Sequence, residues 1–357
     1  MTVNFYHKLE SIALAGGPIS TDDALKVLIS DNIEILPLLQ SAFNVRKRYW
    51  GKKVHIHILN NVKNGNCPED CNYCAQGQAS DEDVYDYPIK SEEEIMAEAE
   101  NAYKSGAYRY CMVMAGRGPS DNRVENMSKI IEKIKNTYPI QVCLSPGLLK
   151  KGQAEKLKEA GLDRLNHNLN SSEENYEKIC STHTYQDRLD TLNYAKNAGL
   201  ETCSGMIAGM GEGPSGIIEM LRKFSELNVP SIPVNFLVAV PGAKLGSPEK
   251  LTPEYCLRIL CLARFMNPKA EIRAAGGREI HLRSMQGLAL YPATSIFMDG
   301  YLNIKGSQEK ETLRMILDGG FEIEFEDKSL DLSKIYEEDI YTPEMKAKED
   351  LKPEIKV

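Results

Sequence analysis

The sequence predicts a (β/α)8 barrel, and three observations support this fold class. Apolar segments with strand character alternate with amphipathic helical segments along most of the chain. Eight such strands recur at spacings of roughly 30 residues, the size of one strand–helix unit. A glycine follows several helices, where a left-handed terminator is expected before the next strand. A doubly wound open sheet is the alternative that this pattern also allows.

Residues 1–48 are predicted to form a helical segment that precedes the barrel. Ser20 marks a helix start before Asp22, and an apolar pattern from Ile33 to Phe43 indicates another helix. The alternating residues 53–60 then predict the first strand. The barrel is therefore expected to begin near residue 49.

Residues 49–327 are predicted to contain the barrel itself. Ser91-Glu92-Glu93-Glu94 is a capping box that opens a helix ending at Gly106. Residues 328–357 form a charged tail with few apolar residues, which predicts loose packing or disorder. The remaining strands are predicted at Arg109–Met114, Ile140–Leu144, Arg164–Leu169, Glu201–Ala208, Val234–Val240, Glu271–Ala275 and Ser295–Met298.

Composition and charge narrow the class of protein. The 357 residues are 42% hydrophobic and 26% charged, which is typical of a globular chain with a large core. The net charge is −8 and no basic stripe is present, so nucleic acid is not an expected partner. No apolar run is long enough to span a membrane, and no signal peptide is recognisable. Nine cysteines in such a chain predict a cytosolic protein with thiols or metal ligands.

Three cysteines lie within eight residues, at Cys67, Cys71 and Cys74. Thiolates are soft ligands, and a cluster of this kind favours zinc or an iron–sulfur cluster. A structural zinc site needs four protein ligands, and no fourth cysteine or histidine follows closely; the next candidate is Cys111. Three ligands suit a [4Fe-4S] cluster with one open iron. The C-x3-C-x2-C spacing resembles that of the radical S-adenosylmethionine (SAM) enzymes, and a zinc knuckle is the alternative.

A second set of cysteines lies on predicted strands, at Cys111, Cys143 and Cys203. Residues of one parity on a barrel strand point inwards, so the three thiols could converge inside the barrel. The alternative is that each is a small buried apolar residue. Spacing alone leaves both interpretations open.

Longer motifs resemble those of the biotin synthases, in family order and spacing from about residue 35 to about residue 325. The motifs are Asn64-Gly65-Asn66-Cys67-Pro68-Glu69-Asp70-Cys71-Asn72-Tyr73-Cys74, Tyr110-Cys111-Met112, Asn166-His167-Asn168-Leu169-Asn170, Thr184-Tyr185-Gln186-Asp187-Arg188-Leu189-Asp190-Thr191-Leu192, Cys203-Ser204-Gly205, Pro233-Val234-Asn235 and Gly277-Arg278-Glu279.

This resemblance implies a homodimeric (β/α)8 barrel with two clusters. Cys67, Cys71 and Cys74 match the [4Fe-4S] ligands, whose open iron binds SAM. An auxiliary [2Fe-2S] cluster is implied on Cys111, Cys143, Cys203 and Arg273. Arginine keeps its proton and is an unusual ligand, so Arg273 is assigned by resemblance alone and would otherwise be expected in an ion pair.

Three asparagines, Asn166, Asn168 and Asn170, are spaced so that one strand would project all of them from one face. A neutral amide offers both a donor and an acceptor, which suits ribose hydroxyls and a cyclic urea. The resemblance implies that Asn168, Asn170 and Tyr73 bind SAM and that Asn166 and Asn235 bind dethiobiotin. Some family members carry aspartate at position 170. Capping of the strand end is the alternative role.

The implied reaction is the insertion of sulfur into dethiobiotin, the last step of biotin biosynthesis. The C–H bonds of dethiobiotin are unactivated, so no side chain is expected to act on them as an acid or a base. A SAM-derived radical would remove hydrogen, and the auxiliary cluster would supply sulfur. A flavodoxin- or ferredoxin-type electron donor and the iron–sulfur assembly machinery are implied partners. A different radical SAM reaction and a non-catalytic iron–sulfur carrier are the rival functions.

Other candidate groups are assigned simpler roles. His55 and His57 lack an obvious third ligand, which favours a role other than metal binding. The loop Gly209-Met210-Gly211-Glu212-Gly213 is either a ligand loop or a plain turn. Cys180, Cys256 and Cys261 match no cluster position. The last two lie on a predicted helix and are expected in the protein core.

Overall fold

The computed structural model describes residues 3–78, 80, 84–239, 244–246, 248, 251–304 and 306–327. The predicted tail, 328–357, lies outside these residues, as does Val240. The helices are α1 Val3–Leu14, α2 Thr21–Ile29, α3 Ile35–Trp50, α4 Glu92–Lys104, α5 Asp121–Thr137, α6 Gln153–Glu159, α7 Glu173–Ile179, α8 Tyr185–Asn197, α9 Gly213–Glu226, α10 Pro253–Met266, α11 Arg278–Leu282 and α12 Glu309–Asp318, with a 3₁₀ helix at Arg283–Leu290.

The strands form a parallel sheet that closes into a barrel. They are β1 Lys53–Lys63, β2 Arg109–Met114, β3 Gln141–Ser145, β4 Arg164–Asn166, β5 Glu201–Cys203, β6 Met206–Ala208, β7 Ser231–Phe236, β8 Glu271–Ala274, β9 Ser295–Met298 and β10 Glu322–Glu324. The order is β1-β2-β3-β4-β5-β7-β8-β9, and β9 pairs with β1 through His55 opposite Ser295. This closing pair confirms the barrel and excludes the open sheet.

One predicted strand, 201–208, is two strands, β5 and β6, separated at Gly205. A Cβ atom on Gly205 would lie 2.0 Å from the Pro233 carbonyl oxygen, so this position lets the backbone approach β7 closely. β7 also begins earlier than predicted, at Ser231. The sequence pattern missed this start because prolines 230 and 233 are rare in strands and weaken the strand signal. β10, which pairs with the start of β1, was not predicted.

Helices α1–α3 pack against the barrel and share its apolar core. Leu9, Leu38 and Val45 are buried in the same cluster as Ile56 of β1 and Leu260 of α10. α2 begins as its sequence indicates, with the Ser20 hydroxyl accepting a hydrogen bond from the Asp23 amide at 3.1 Å. The same helices therefore cover one side of the barrel.

Candidate active site

A cavity of about 350 Å³ opens among the loops that follow the strands, and it runs down into the barrel. It brings together residues that lie far apart in the sequence, from both predicted cysteine sets and from the asparagine segment. Those among its lining residues are Cys67, Cys71, Tyr73, Cys74, Cys111, Cys143, Asn166, Asn168, Asn170, Asn235 and Arg273. Cys203 does not line it but contacts Arg273, with 3.8 Å between Sγ and Nη1.

The first cysteine set lies on the loop after β1. The Cys74 amide donates to the Cys71 carbonyl at 3.0 Å, and the Cys67 amide donates to the Gln76 carbonyl at 3.1 Å, so the loop folds back on itself. Burial raises the pKa of the Cys67 and Cys74 thiols. A hydrogen bond to Cys180 and burial also raise that of Cys71. All three thiols are therefore protonated at neutral pH unless a metal centre displaces their protons.

The second cysteine set lies one level deeper, inside the barrel. Cys111 of β2 is opposite Cys143 of β3 in the strand register, and both are at most 5% exposed. Cys203 of β5 is fully buried, and its Sγ lies 3.2 Å from Asn166 Nδ2 and 3.5 Å from Ser231 Oγ. All three thiols therefore point into the barrel, which is one of the two arrangements that the sequence left open.

Arg273 lies inside the barrel beside these thiols. Its guanidinium donates to the Glu271 carboxylate at 2.5 Å, to Ser231 Oγ at 3.0 Å and to Ser295 Oγ at 3.2 Å. Burial lowers its pKa, but the Glu271 and Cys203 charges raise it more, so the net shift is upwards. The side chain is therefore a charged, hydrogen-bonded cation in this structure.

A layer of buried charge underlies the second cysteine set, on the side away from the cavity mouth. Arg164 donates to the buried Glu271 at 2.7 Å, and it also bonds Glu201, whose side chain is 55% exposed. Arg109 is buried, and its Nε and Nη1 have no partner among the described residues. Burial raises the pKa of Glu271, but Arg164 and Arg273 hold it well below its usual range. Within the described part of the chain, these three guanidinium groups thus outnumber the two carboxylates, Glu201 and Glu271, that bond any of them.

His57 joins this layer rather than forming a separate site. Its Nε2 is 2.9 Å from Glu271, and its Nδ1 is 3.7 Å from the Cys111 sulfur. Burial, and then Arg273, hold the pKa of His57 well below its usual range, so the ring is neutral. Glu271 supplies the third donor that the sequence did not reveal beside His55 and His57. The neighbouring guanidinium groups would repel a cation there, which again favours a hydrogen-bonding role.

The asparagine segment differs from the predicted strand. β4 ends at Asn166, and Asn170 adopts a positive φ of 68°. Asn168 Oδ1 accepts from the Gly205 amide at 3.0 Å, while Asn170 Nδ2 donates to the Tyr73 hydroxyl at 2.5 Å. These amides therefore line the cavity, and Asn168 also bonds the backbone between β5 and β6, as the capping role would require. Their role in ligand binding stays a prediction.

Asn235 lies at the end of β7 with its amide bonded to the backbone. Its Oδ1 accepts from the Gly276 amide at 2.9 Å, and its Nδ2 donates to the Met206 carbonyl at 3.0 Å. Each of these two atoms has capacity for one further hydrogen bond. The side chain is therefore held rigidly at the cavity wall.

Several buried residues around the first cysteine set were not predicted. Arg188 donates to His183 Nε2 at 2.7 Å and to the Asn168 carbonyl at 2.7 Å. His183 also contacts the Glu69 carboxylate through Nδ1. Glu69 and Arg188 belong to the family-like motifs of the sequence, and this was the only sign that they matter for the site. No local sequence pattern indicated that both would contact His183.

The two cysteines of α10 and the glycine-rich loop at 209–213 have structural roles. Cys256 and Cys261 are fully buried in α10, as expected. In the glycine-rich loop, the Glu212 carboxylate accepts from the Gly209 amide at 2.9 Å and from the Met210 amide at 2.8 Å. The loop's own carboxylate therefore uses these donors, which is typical of a turn.

The sequence matches known families over most of the described barrel. Residues 62–224 match the Radical SAM superfamily, and residues 233–322 match the Biotin and Thiamin Synthesis associated domain. In solved structures, the methylornithine synthase PylB (TM-score 0.76, 19% identity, 89% of this chain and 98% of that chain) and the FeFe-hydrogenase maturase HydG from Carboxydothermus hydrogenoformans (0.76, 18%, 90% and 79%) share the fold.

Curated relatives give the family. A biotin synthase from Magnetococcus marinus is 54% identical over 87% of this chain and 97% of its own length. Those from Acaryochloris marina (53%, 84% and 87%) and Lysinibacillus sphaericus (46%, 90% and 97%) are similar over comparable spans. The chain therefore belongs to the biotin synthase family of radical SAM enzymes.

Proposed function

We propose that this enzyme forms biotin by inserting sulfur into dethiobiotin, with SAM as the radical source and an auxiliary [2Fe-2S] cluster as the sulfur donor. The observation that carries the proposal is a second buried thiol set, over a surplus of positive charge, at the cavity that the first set also lines. The [4Fe-4S] ligands are Cys67, Cys71 and Cys74, and the auxiliary ligands are Cys111, Cys143, Cys203 and Arg273.

The first donor set suits a cluster with one open position. Its three thiols come from one short loop and line a single cavity, and thiolates are the usual ligands of iron–sulfur clusters. Asn170 and Tyr73 are hydrogen-bonded to each other at this level of the cavity. We assign Asn168, Asn170 and Tyr73 to the SAM site because their amide and hydroxyl groups line the cavity there and can donate and accept hydrogen bonds to ribose hydroxyls.

The second donor set suits an anionic group. Deprotonating three buried thiols would be unfavourable without compensating charge. Arg109, Arg164 and Arg273 supply that charge beneath Cys111 and Cys143. Arg273 reaches the Cys203 sulfur with Nη1 while Glu271 and two serines hold its other donors. Its role is to hold the cluster in place and to balance its charge.

The chain's own residues provide position and exclusion of water. When bound, SAM and the clusters supply the radical and the sulfur that no amino-acid side chain can. Asn166 ends β4 beside Cys203, and Asn235 is held near the end of β7, so their amides can hold the ureido group of dethiobiotin above the second thiol set. The enclosed barrel limits competing reactions with water.

Other partners remain predictions from the family. They are a flavodoxin- or ferredoxin-type electron donor, a second copy of the chain in a homodimer, and the iron–sulfur assembly machinery. The described residues contain no helix that is long and apolar enough to cross a membrane. A cytosolic location remains a prediction from the thiol-rich composition.

The decisive experiment separates the two thiol sets. In anaerobically reconstituted Cys203→Ala, we expect the [4Fe-4S] spectrum and SAM cleavage to persist while biotin formation is lost. Cys261→Ala, which removes another fully buried thiol far from the cavity, is the matched control and should form biotin. Normal biotin yield from Cys203→Ala would refute the auxiliary cluster and favour a different radical SAM reaction.

A complementary variant tests the first set. Cys67→Ala removes one of only three ligands, so we expect no 5′-deoxyadenosine from SAM under reducing conditions. The auxiliary cluster of this variant should still assemble, because Cys67 lies on the loop after β1 and the second cysteine set lies inside the barrel. SAM cleavage by this variant would show that the loop does not hold the SAM cluster.

A further inference from the structure

A second group of soft donors lies beside the first cysteine set and shares one member with it. Cys180 follows the end of α7, and His183 precedes α8. The ligand atoms of Cys71, Cys180 and His183 all lie within 4.8 Å of one another, and the three residues are buried. Two thiols and an imidazole in one buried cluster are a typical donor set for zinc or ferrous iron.

The spacing of these donors matches one metal ion. The sulfur atoms of Cys71 and Cys180 are 3.8 Å apart. Two thiolates on one tetrahedral ion, with metal–sulfur bonds of about 2.3 Å, are separated by about 3.8 Å. His183 Nδ1 lies 3.3 Å from the Cys180 sulfur, close to the separation of about 3.5 Å that sulfur and nitrogen ligands adopt on such an ion.

A carboxylate lies beside this donor set. Asp70 Oδ1 lies 3.2 Å from the Cys180 sulfur, on the loop that carries Cys71. Glu69 adds a second negative charge beside His183, and Arg117 and Arg188 are the cations nearby. Two thiolates and two carboxylates against two guanidinium groups leave a net charge of −2, which one divalent ion balances.

Metal binding would require the His183 ring proton and two thiol protons to move, and the hydrogen bonds around His183 allow this. His183 Nε2 accepts from Arg188, so the neutral ring carries its proton on Nδ1. Ligation through Nδ1 replaces the contact of this atom with the Glu69 carboxylate, moves the proton to Nε2 and displaces the Arg188 donor. Glu69 retains the Thr182 hydroxyl and Arg117 as partners. Arg188 retains the Asn168 carbonyl and the Tyr176 hydroxyl as acceptors. The two thiol protons leave to solvent as the ion binds.

We propose that the cluster-free chain binds one divalent ion, of the zinc or ferrous type, at Cys71, Cys180 and His183, with water or the neighbouring Asp70 carboxylate as the fourth ligand. Because Cys71 is a ligand in both arrangements, this ion and the [4Fe-4S] cluster exclude each other. Zinc at this site therefore blocks cluster assembly. The ion site itself stands independently of the proposed sulfur chemistry, because it is tested without SAM, dethiobiotin or any cluster.

The test is anaerobic titration of the full-length, iron-free chain with Co²⁺ in the presence of a thiol-free reductant. Tetrahedral thiolate coordination gives a charge-transfer band and intense visible d–d bands. Cys180→Ser should weaken Co²⁺ binding at least about tenfold. Cys67→Ser is the matched control, since it removes a thiol of the first set that is not in the proposed site, and it should bind Co²⁺ like the wild type. The reverse pattern would place the ion on Cys67, Cys71 and Cys74, and equal Co²⁺ binding by the wild type and Cys180→Ser would place it on other thiols; either result would overturn the proposal.

A measurement on the unmodified chain covers the case in which a variant does not fold. X-ray absorption of the Zn²⁺-loaded, cluster-free protein should give two sulfur and two nitrogen or oxygen neighbours. Three or more sulfur neighbours, or none, would overturn the site. A further readout is reconstitution: bound Zn²⁺ should slow the appearance of the [4Fe-4S] spectrum in the wild type and have at least about tenfold less effect in Cys180→Ser.

Discussion

Glu271 is the residue on which the charged layer of the barrel depends. Its two carboxylate oxygens accept hydrogen bonds from Arg164, Arg273 and Ser295, and one also contacts His57. The side chain is 1% exposed, so water cannot replace these bonds. Removing its charge would leave buried guanidinium groups facing one another.

We therefore expect Glu271→Gln to lower the free energy of unfolding of the cluster-free chain by about 3–5 kcal/mol. Urea denaturation at neutral pH would measure this change. Glu201→Gln is the control, because Glu201 bonds the same Arg164 but is exposed, and its effect should stay below about 1 kcal/mol. Equal effects of the two variants would contradict the buried role of Glu271.

At the residue scale, the sequence supplied the thiols but not the layer beneath them. Glu271 and Arg273 are two apart on a strand and must share a face, so their proximity was predictable. Charged residues on alternate strand positions usually face solvent, however. Only closure of the barrel places that face inside. Cys180 and His183 carry no local signal either, because their contact with Cys71 depends on the fold.

At the element scale, Gly205 allows the break between β5 and β6 that sets the cavity wall. The Gly205 amide bonds Asn168 and its carbonyl accepts from the Asn170 amide, so this position ties the asparagine segment to the break. A periodic pattern cannot reveal such a break, because Cys203, Ser204 and Met206 on either side of it are all buried. The same contacts explain why β4 ends at Asn166 rather than continuing to Leu169.

Gly205→Ala should therefore destabilise the barrel by about 3 kcal/mol, because its Cβ would meet the Pro233 carbonyl. Thermal and urea unfolding would measure the loss. Gly287→Ala is the control: its Cβ would meet only Met315 Cγ at 3.8 Å, so stability should change by less than about 1 kcal/mol. An unaltered unfolding midpoint for Gly205→Ala would mean that β7 can shift without cost.

Asp23 joins α2 to α1 and gives the structure a pH dependence. Lys8 Nζ donates to its carboxylate at 2.6 Å, and the Ser20 hydroxyl donates at 2.9 Å. Burial raises the pKa of Asp23, but these hydrogen bonds lower it more, so the folded-state pKa lies below its usual range. A depressed carboxyl pKa stabilises the fold above the unfolded-state value of about 3.9 and ceases to do so as pH falls through the folded-state pKa.

The stability advantage of the wild type over Asp23→Asn should therefore shrink as the pH falls from about 5 to about 3. Urea denaturation at a series of pH values would show this narrowing. Lys8→Met removes the partner but keeps the carboxylate, so its unfolding free energy should fall less steeply with acid than that of the wild type. Parallel curves for the wild type and Asp23→Asn would show that Asp23 does not titrate differently in the two states.

At the scale of the whole molecule, the closure of the barrel followed from the repeated strand–helix units, but what secures the closing pair did not. The amide of His55 on β1 donates to the Thr294 carbonyl at 2.9 Å, next to the start of β9. Arg46 of α3 bridges the same junction: it donates to the Ala293 carbonyl at 3.0 Å and to the Lys53 carbonyl at 2.8 Å. A charged residue in an amphipathic helix is normally expected at the surface, so this role was not predictable.

The bridging role of Arg46 makes the N-terminal helices part of the barrel's closure. Arg46 is fully buried, and its guanidinium also bonds the Gly51 carbonyl and lies 4.8 Å from the centre of the Phe321 ring. Arg46→Ala would leave three carbonyls without this donor and open a cavity. We expect the free energy of unfolding to fall by about 4 kcal/mol.

A local defect and a weakened closure can be distinguished by hydrogen exchange. If Arg46 secures the junction of β1 and β9, the His55 amide should exchange faster in Arg46→Ala, because the pair opens more often. Arg48→Ala, an exposed arginine on the same helix, should leave both the unfolding free energy and this exchange rate unchanged. Loss of stability without faster exchange at His55 would place the effect in α3 alone. Faster exchange at the His55 amide would show that the helical segment before the barrel stabilises the pairing of the barrel's first and last strands.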